Sequence, residues 1–268
     1  MTRPQILLVN DDGVNSGGLW AAYDAMSAFA DVTVVSPAVQ QSGVGRSISI
    51  FEPLRMNKVT AGGREAYVVS GRPTDCAILG IHGLKKPFDL AVSGVNLGEN
   101  ITFESVTTSG TIGAAMEAAN QGVPSIAFSM EMHSDGEKFT DPREHVIDFS
   151  QVKEVVSTVV RYFLTHPFPK NTHLINVNIP GKKIKGYRVT HLGARFFDTT
   201  VEERIDPRGK PYYWICGAEN PVCDAKSDVV ALREGYVSVT PLTMDNCEHG
   251  SLEELAAMAD SLGSAVSP

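Results

Sequence analysis

The sequence lacks the patterns by which many nucleotide and metal sites are recognised. It contains no GxxxxGK[ST] segment, and no GxGxxG follows the first predicted strand, which excludes a P-loop NTPase and a typical dinucleotide-binding protein. The four cysteines form no CxxC pair, and none of the seven histidines lies in HxxxH or HExxH spacing. A zinc knuckle, a thioredoxin-like redox site and a histidine-based metal site are therefore not indicated.

Positive charge and long apolar runs are also scarce. The net charge of the 268 residues is −8, which argues against a surface for polymeric nucleic acid. No segment approaches ~18 consecutive apolar residues, so no membrane-spanning helix is expected. The N-terminal residues do not have the pattern of a signal peptide, and we therefore expect a cytoplasmic protein.

The cysteines are Cys76, Cys216, Cys223 and Cys247. We expect buried or free thiols at these positions. A disulfide between Cys216 and Cys223 is the open alternative, because some intracellular proteins of thermophiles contain such bonds.

Residues 1–190 alternate between β-rich and helical patterns. This alternation predicts a Rossmann-like α/β core, in which a mostly parallel sheet carries helices on both faces. The predicted strands cover 6–9, 32–35, 66–69, 90–92 and 125–128, and the predicted helices cover 19–30, 73–84, 110–120 and 152–164.

Residues 191–268 have a different character and predict an assembly region that does not fold independently. Segment 195–217 reads as a long hairpin around a turn at 206–209, segment 229–242 as two further strands, and segment 251–262 as an amphipathic helix. The hairpin is rich in aromatic residues, and exposed patches of that kind usually contact a partner. We expect an oligomerisation arm; the alternative is a hairpin folded back on its own core.

Four apolar runs of the core stop at a serine, namely Ser36, Ser70, Ser93 and Ser129. Ligands of doubly wound sheets bind beyond the carboxyl ends of the strands, so the four serines are compatible with one polar cleft. Turn formation is the simpler explanation for any one of them.

Asp11 and Asp12 follow the first buried strand directly, and Gly13 allows the chain to turn there. Adjacent side chains of a strand point in opposite directions, so the two carboxylates converge only where the strand ends. Two hard oxygen ligands suit Mg²⁺, Mn²⁺ or Ca²⁺. A helix cap or a surface loop is the alternative reading of the pair.

Two loops can supply further oxygen ligands, because Mg²⁺ takes about six. Ser42 offers a hydroxyl beside Gly43 in the loop at 40–46, and Asn96 and Asn100 offer amide oxygens in segment 93–100. These neutral ligands add no negative charge, which matters if the substrate is an anion.

Ser109, Gly110 and Thr111 precede or begin a predicted helix. The free N–H groups and the positive dipole end of a helix can bind phosphate. Taken alone, this tripeptide also fits a simple helix cap. A metal site together with a phosphate cradle indicates phosphoryl chemistry, which requires a cation, several aimed donors and an activated water molecule.

Seven spaced segments stand out along the chain, namely VNDDG at 9–13, QSGVG at 41–45, RPTDC at 72–76, SGVNLGEN at 93–100, SGTIGAAMEA at 109–118, DPRGKPYYW at 206–214 and GYVSVTPL at 235–242. Together they resemble the SurE survival-protein family of 5′- and 3′-nucleotidases. The resemblance covers about residues 5–245. Two positions depart from the family pattern: Thr108 stands where a tyrosine is frequent, and Arg72 where a threonine is frequent.

The resemblance implies a metal-dependent nucleoside monophosphate phosphatase that forms dimers or tetramers through swapped arms. One Mg²⁺ or Mn²⁺ ion per subunit would bind Asp11, Asp12, Ser42 and Asn96, with the two aspartates also serving catalysis. The candidate substrate- and phosphate-binding residues are Asn10, Gly43, Asn96, Asn100, Ser109, Gly110 and Thr111. The hairpin at 195–217 and the C-terminal tail would join the subunits, and no membrane or polymeric nucleic acid is expected as a partner.

Two other functional classes compete with the phosphatase. A receiver domain also has an acidic pair after its first strand, but it needs a third aspartate near residue 55, and the stretch ISIFEPLRMNK at 48–58 contains none. A nucleotide-binding sensor without turnover has no sequence feature that distinguishes it from the enzyme.

Overall fold

The computed structural model describes residues 3–132, 147–222 and 224–265. Their main feature is a nine-stranded sheet in the order β3-β4-β2-β1-β5-β6-β7-β11-β8, in which the five neighbouring pairs from β4 to β7 are parallel. The pairs β3–β4 and β7–β11 are antiparallel. The strands of this sheet are β1 Gln5–Val9, β2 Asp31–Pro37, β3 Met56–Ala61, β4 Arg64–Val69, β5 Leu90–Leu97, β6 Ser125–Met130, β7 Leu174–Ile179, β8 Tyr187–Val189 and β11 Val237–Leu242.

Helices cover both faces of the sheet, as the alternating pattern predicts. They are α1 Gly17–Ser27, α2 Pro73–Ile78, α3 Thr102–Thr108, α4 Gly110–Asn120, α5 Ser150–Thr165, α6 Asp228–Arg233 and α7 Leu252–Ala265. Ile6 and Leu8 of β1 belong to the core under α1 and α5, whereas Leu7 and Val9 belong to the core under α2 and α4. A continuous apolar run is what a strand buried on both faces needs.

Three of the predicted segments differ clearly from the structure in type or extent. The segment 229–242, predicted as two strands, contains one strand, because Asp228–Arg233 is a helix capped by the Ser227 hydroxyl. The helix predicted at 73–84 ends at Ile78 and continues as a π-helical turn, Leu79–Gly83. Strand β5 does not stop at Ser93 but runs to Leu97, so Asn96 lies inside the strand.

The four serines do not line one open cleft. Ser36, Ser93 and Ser129 are buried within the sheet, and Ser70 is exposed and accepts a hydrogen bond from the Arg55 N–H group. Ser36 and Ser129 instead contact asparagine side chains of the loops above the sheet. They support the loops at the carboxyl edge from below.

The long hairpin forms a separate two-stranded antiparallel sheet of β9 Arg195–Ile205 and β10 Pro211–Val222. Its turn is closed by hydrogen bonds between Asp206 and Lys210 and between Gly209 and Asp206, and its base packs against α3. Many of its apolar side chains are exposed, among them Val201, Tyr213, Trp214 and Ile215. Helix α7 likewise exposes an apolar face of Leu252, Leu255, Met258 and Leu262.

Cys76 is a buried free thiol, and Cys216 and Cys247 are exposed free thiols. Cys223, the second residue of the disulfide alternative, lies outside the described residues. No helix in the described ranges is long and apolar enough to cross a membrane.

Candidate metal and phosphate site

The turn after β1 presents Asp11 and Asp12 at the carboxyl edge of the sheet. Asn10, which precedes them, is fully buried: its amide nitrogen donates to the Gly13 carbonyl at 3.0 Å, and its amide oxygen accepts from the Ser36 hydroxyl at 2.7 Å. Gly13 has φ of +89°, a conformation that favours glycine. Asn10 therefore shapes the turn from below, and both ends of its amide are engaged in doing so.

Asp11 is almost completely buried against the start of α4. Its Oδ1 atom accepts a hydrogen bond of 2.5 Å from the Thr111 hydroxyl, and its main-chain carbonyl accepts one from Gln41 N–H at 2.8 Å. A Cβ atom on Gly110 would lie 2.9 Å from Asp11 Cβ and 3.0 Å from Asp11 Oδ2. Only glycine therefore lets the first turn of α4 come this close to the carboxylate.

Asp12 connects the turn with two other loops. Its Oδ2 atom accepts a hydrogen bond from Leu97 N–H at 3.3 Å, and its Oδ1 atom lies 3.5 Å from the Gln40 amide nitrogen. The same nitrogen donates to the Ser42 hydroxyl oxygen at 3.1 Å. Gln40 thus bridges two of the predicted ligands, a role that its sequence position did not indicate.

Burial raises the pKa of Asp11, and hydrogen bonds from Thr111 and from main-chain N–H groups only partly oppose this effect. The pKa of Asp12 is raised to about 7, first by burial and second by the neighbouring charge of Asp11. In the described part of the chain, the hydrogen-bond partners of both carboxylates are neutral groups. Two such carboxylates gain most from a cation, because a positive charge removes the repulsion and offsets the lost hydration.

The loop at 40–46 lies directly on the N-terminal half of α4. Gly45 donates to the Thr108 carbonyl at 2.7 Å, and a Cβ on Gly113 would lie only 2.4 Å from the Gly45 carbonyl oxygen. Gly43 (φ +73°) faces open space. Arg46 forms an ion pair of 2.8 Å with the buried Glu117 of α4. Close glycine packing and this ion pair fix the loop that carries Ser42.

At the start of α4, Ser109 is the N-cap, and its hydroxyl oxygen accepts a hydrogen bond of 3.2 Å from Ile112 N–H. In the structure the Ser109 side chain therefore caps the helix, which is the alternative interpretation of this tripeptide. The Thr111 hydroxyl is likewise engaged, by Asp11. A phosphate at this helix end would be held mainly by main-chain N–H groups and the helix dipole.

The two asparagines of segment 93–100 have different surroundings. Asn96 is partly exposed, and its amide nitrogen donates to the Gly98 carbonyl at 2.7 Å, which leaves the amide oxygen as the atom suited to a cation. Asn100 is buried, and its amide nitrogen donates to the Ser129 hydroxyl at 2.8 Å. The contacts of Asn100 are with β6 and β7 rather than with the turn at Asp11.

The described residues contain no group of three or more His, Cys, Asp or Glu side chains arranged for a metal. The site expected from the sequence has only two carboxylates, and its other two ligands are a hydroxyl and an amide oxygen. It therefore does not contain three side chains of these types. Its donors are all oxygen atoms, and oxygen donors of this kind fit Mg²⁺ or Mn²⁺. The residues present therefore fit a hard divalent cation.

Sequence reasoning also missed two buried amides, Asn176 and Asn178, which contact the Asn100 main chain. A signal was available, because the buried strand LINVNI has polar residues at alternating positions and thus on one face.

Comparison with known proteins gives a consistent result. A family model described as "Survival protein SurE" matches residues 6–199. The chain is 64% identical over 258 residues to a protein of Methanocorpusculum labreanum named 5'-nucleotidase SurE, covering 96% of this chain and 98% of that protein. It is 53% identical over 260 residues to the protein of the same name from Methanoculleus marisnigri, covering 97% and 99%.

Among solved structures, the chain is similar to the SurE protein from Aquifex aeolicus. The TM-score is 0.81 and the sequence identity 37%, over 96% of this chain and all of that one (100%).

Proposed function

The chain belongs to the survival protein SurE family, and from this premise we propose that it hydrolyses nucleoside 5′- and 3′-monophosphates to nucleoside and phosphate. Relatives that match almost the whole chain carry the name 5'-nucleotidase. The structural observation that carries the proposal is the close contact between the buried Asp11 carboxylate and the first turn of α4, with the half-buried Asp12 as the next residue of the same turn. This arrangement supports a cation site next to a phosphate cradle.

We propose that one Mg²⁺ or Mn²⁺ ion per subunit is held by Asp11, Asp12, Ser42 and Asn96. Support comes from the raised pKa values of both carboxylates and from the all-oxygen donor set. A bound divalent cation polarises a phosphoryl oxygen and lowers the pKa of a water molecule.

The side chains and main chain then have separable tasks. The Gly110 N–H group and the dipole of α4 bind the phosphate and stabilise its developing negative charge, and the Thr111 N–H group is shared between the phosphate and Asp11. The Thr111 hydroxyl holds the Asp11 carboxylate in one orientation. One of the two aspartates also accepts the proton of the attacking water, or serves as the nucleophile. Gly43 lets the loop approach the substrate, whereas Asn10 and Asn100 support the site from beneath.

We further propose that residues 1–190 form the catalytic core and residues 191–268 the assembly region of a homodimer or homotetramer. The hairpin stands apart from the main sheet and exposes Val201, Tyr213, Trp214 and Ile215. Such apolar surface on a protruding hairpin favours association with a second copy of the chain. The free thiol of Cys247 favours a reducing compartment, and we propose the cytoplasm.

The experiment is phosphate release from AMP, 3′-AMP and an aryl phosphate, each with Mn²⁺, Mg²⁺ or EDTA. We expect metal-dependent release that falls at least ~10²-fold in Asp11→Asn while the melting temperature is retained. Near-normal turnover of Asp11→Asn would contradict the site. Tight nucleotide binding without release under any condition would make the protein a sensor.

A further inference from the structure

Two amide side chains interrupt the apolar interior of β7. Asn176 and Asn178 are both fully buried, next to Leu174, Ile175 and Val177 of the same strand. Residues two apart on a strand face the same way, so the two amides form one polar patch. A buried amide is unfavourable unless it is hydrogen-bonded, which makes the partners of this patch informative.

The partner of both amides is the main chain of Asn100. The amide nitrogens of Asn176 and Asn178 donate to the Asn100 carbonyl oxygen at 2.8 Å and 3.0 Å. The Asn178 amide oxygen accepts from Asn100 N–H at 2.8 Å. Strand β7 therefore binds Asn100 on both its main-chain donor and its main-chain acceptor.

The Asn100 side chain adds a further attachment to the sheet. Its amide nitrogen donates to the Ser129 hydroxyl of β6 at 2.8 Å. Two residues further on, Thr102 has φ of +66° and its N–H group donates to the buried Asp228 carboxylate at 2.8 Å. Such a strained conformation in a residue other than glycine persists only where the surroundings fix the chain.

The other end of this segment reaches the candidate metal site. Leu97 N–H donates to Asp12 Oδ2 at 3.3 Å. The Gly98 carbonyl accepts from the Asn96 amide nitrogen at 2.7 Å, and Gly98 N–H donates to the Met130 carbonyl at 2.9 Å. The position of Gly98 therefore sets the orientation of the Asn96 amide. Asn100, which β7 holds, lies only two residues further along the chain.

We propose that Asn176 and Asn178 are positioning residues of the site: by holding the Asn100 main chain they fix segment 97–101, and with it the Asn96 amide oxygen and the Leu97 N–H group. The inference rests on the proposed function, because it assumes that Asn96 binds the cation. Groups that orient metal ligands in this way typically change metal affinity or activity by about 10–100-fold when they are removed.

The test compares Asn178→Leu with Thr190→Val. Both changes replace a buried hydrogen-bonding side chain with an apolar one of similar size. Thr190 bonds to Ser238 and Thr240 at 2.7 Å and 2.8 Å, the residues of β11 that pair with Asn178 and Asn176. Among the described residues it has no hydrogen bond to segment 97–101, so it tests the same polar patch without the link to Asn100. The readouts are the Mn²⁺ dissociation constant of the substrate-free protein by calorimetry, the kcat and KM for AMP, and the melting temperature in EDTA.

We expect Asn178→Leu to weaken Mn²⁺ binding at least ~10-fold and to lower kcat by a similar factor. Thr190→Val should bind Mn²⁺ within about 2-fold of the wild type, even if it melts at the same temperature as Asn178→Leu. If Asn178→Leu binds Mn²⁺ as tightly as the wild type, the inference is overturned. The substitution would then affect only the stability of the fold.

Two further variants keep the test decisive if Asn178→Leu does not fold. Asn176→Leu removes one of the two bonds to the Asn100 carbonyl, and it should give a smaller loss of Mn²⁺ affinity in the same direction. Asn178→Asp can replace the amide only when its carboxyl is protonated, so its Mn²⁺ affinity relative to the wild type should recover as the pH falls. Wild-type affinity in both variants at every pH would refute the proposal.

Failure of the proposed function gives a different result. If Asp11→Asn binds Mn²⁺ as tightly as the wild type, the metal site itself is misassigned. If Asp11→Asn loses Mn²⁺ and Asn178→Leu does not, the site is correct and the positioning role is wrong.

Discussion

The hydroxyl of Thr111 donates a hydrogen bond of 2.5 Å to Oδ1 of Asp11, although the two residues are 100 positions apart in the sequence. The bond joins the first turn of α4 to the turn after β1. It fixes the candidate metal ligand and the candidate phosphate cradle relative to each other.

Thr111→Val should therefore lower kcat for AMP at least ~10-fold. The valine has nearly the same shape but lacks the hydroxyl, so Asp11 loses a charge-assisted hydrogen bond of about 1.5–3 kcal/mol. Thr111→Ser keeps the hydroxyl and is the matched control, expected within about 3-fold of the wild type. Equal kcat in the valine variant and the wild type would show that Asp11 is oriented by other groups.

Gly110→Ala should disturb the site only through the volume of the added methyl group. The added Cβ would lie 2.9 Å from Asp11 Cβ and 3.1 Å from the Gln41 carbonyl oxygen, closer than unstrained contacts allow. We expect a drop in kcat of about 10²-fold, because small displacements of reacting groups have large effects. The control is Gly83→Ala, whose nearest neighbour would be Met56 Cε at 3.5 Å, an ordinary contact. Full activity of Gly110→Ala would refute the close approach of α4 to Asp11.

Metal affinity should depend on pH in a defined direction. The pKa of Asp12 is about 7 without a cation, compared with an ordinary value of 3.8, so the carboxyl is mostly protonated at pH 6. A cation needs the ionised form, and Mn²⁺ should therefore bind about 10-fold more tightly at pH 8 than at pH 6. Calorimetric titrations at the two pH values measure this. An affinity that is independent of pH would contradict the raised pKa.

The raised pKa of Asp12 also affects the stability of the metal-free protein, which should decrease with pH although metal affinity increases. Between pH 3.8 and about 7 the folded state binds more protons at Asp12 than the unfolded state does. Its stability should therefore fall as the pH rises through this window. Melting in EDTA at pH 5.5 and pH 8 shows the effect, and Asp12→Asn should remove part of the difference.

The Arg46–Glu117 ion pair should contribute to both stability and activity. Burial alone would raise the pKa of Glu117, but hydrogen bonds from Gln121, Arg46 and Asn120 outweigh it and lower the pKa. Glu117→Gln should lower the free energy of unfolding in urea by about 1–2 kcal/mol, because a partly buried charge-assisted bond is lost. It should also lower kcat, since the loop with Ser42 is released from α4.

The exposed Lys58–Glu65 pair provides the control for that experiment. Its side chains are largely exposed, and Glu65→Gln should change the stability by less than about 1 kcal/mol. A Glu117→Gln effect no larger than this would show that the loop is held by glycine packing alone.

The exposed face of the hairpin should control assembly. Val201 and Ile215 are directly opposite each other on β9 and β10, and both are exposed. Val201→Glu combined with Ile215→Lys keeps a favourable cross-strand pair while it removes the apolar patch. We expect light scattering to give an oligomeric mass for the wild type and a smaller mass for the double variant. An unchanged mass would exclude this face as an interface.

Much of the core could be predicted from the sequence, because its elements follow local patterns. The buried strand at Ile6 and the helix Gly110–Asn120 were predicted with nearly the observed bounds. The pair Asp11 and Asp12 indicated a functional site, because two negative charges directly after a buried strand are unfavourable without a positively charged partner. The α/β fold and the family resemblance were confirmed by the comparisons.

Other features could not be predicted, because they depend on groups distant in sequence. Strand β5 continues past Ser93 because β6 offers pairing partners to Asn96 and Leu97. Residues 228–233 form a helix that Ser227 caps locally, but only the folded chain brings the N–H groups of Thr102 and Gly193 to the Asp228 carboxylate at its start. Such partners are brought close only by the folded chain.

The sequence by itself determined which residue types are available at the carboxyl edge of the sheet, because apolar periodicity and glycine positions set where each strand stops. Only the tertiary structure decided how they are used. It engages the Thr111 hydroxyl with Asp11, buries Asn10 and Asn100 beneath the site, and brings Gln40 between Asp12 and Ser42. The physical reason is that a hydrogen bond depends on distances of about 3 Å between atoms, and parallel strand order, rather than sequence separation, sets those distances.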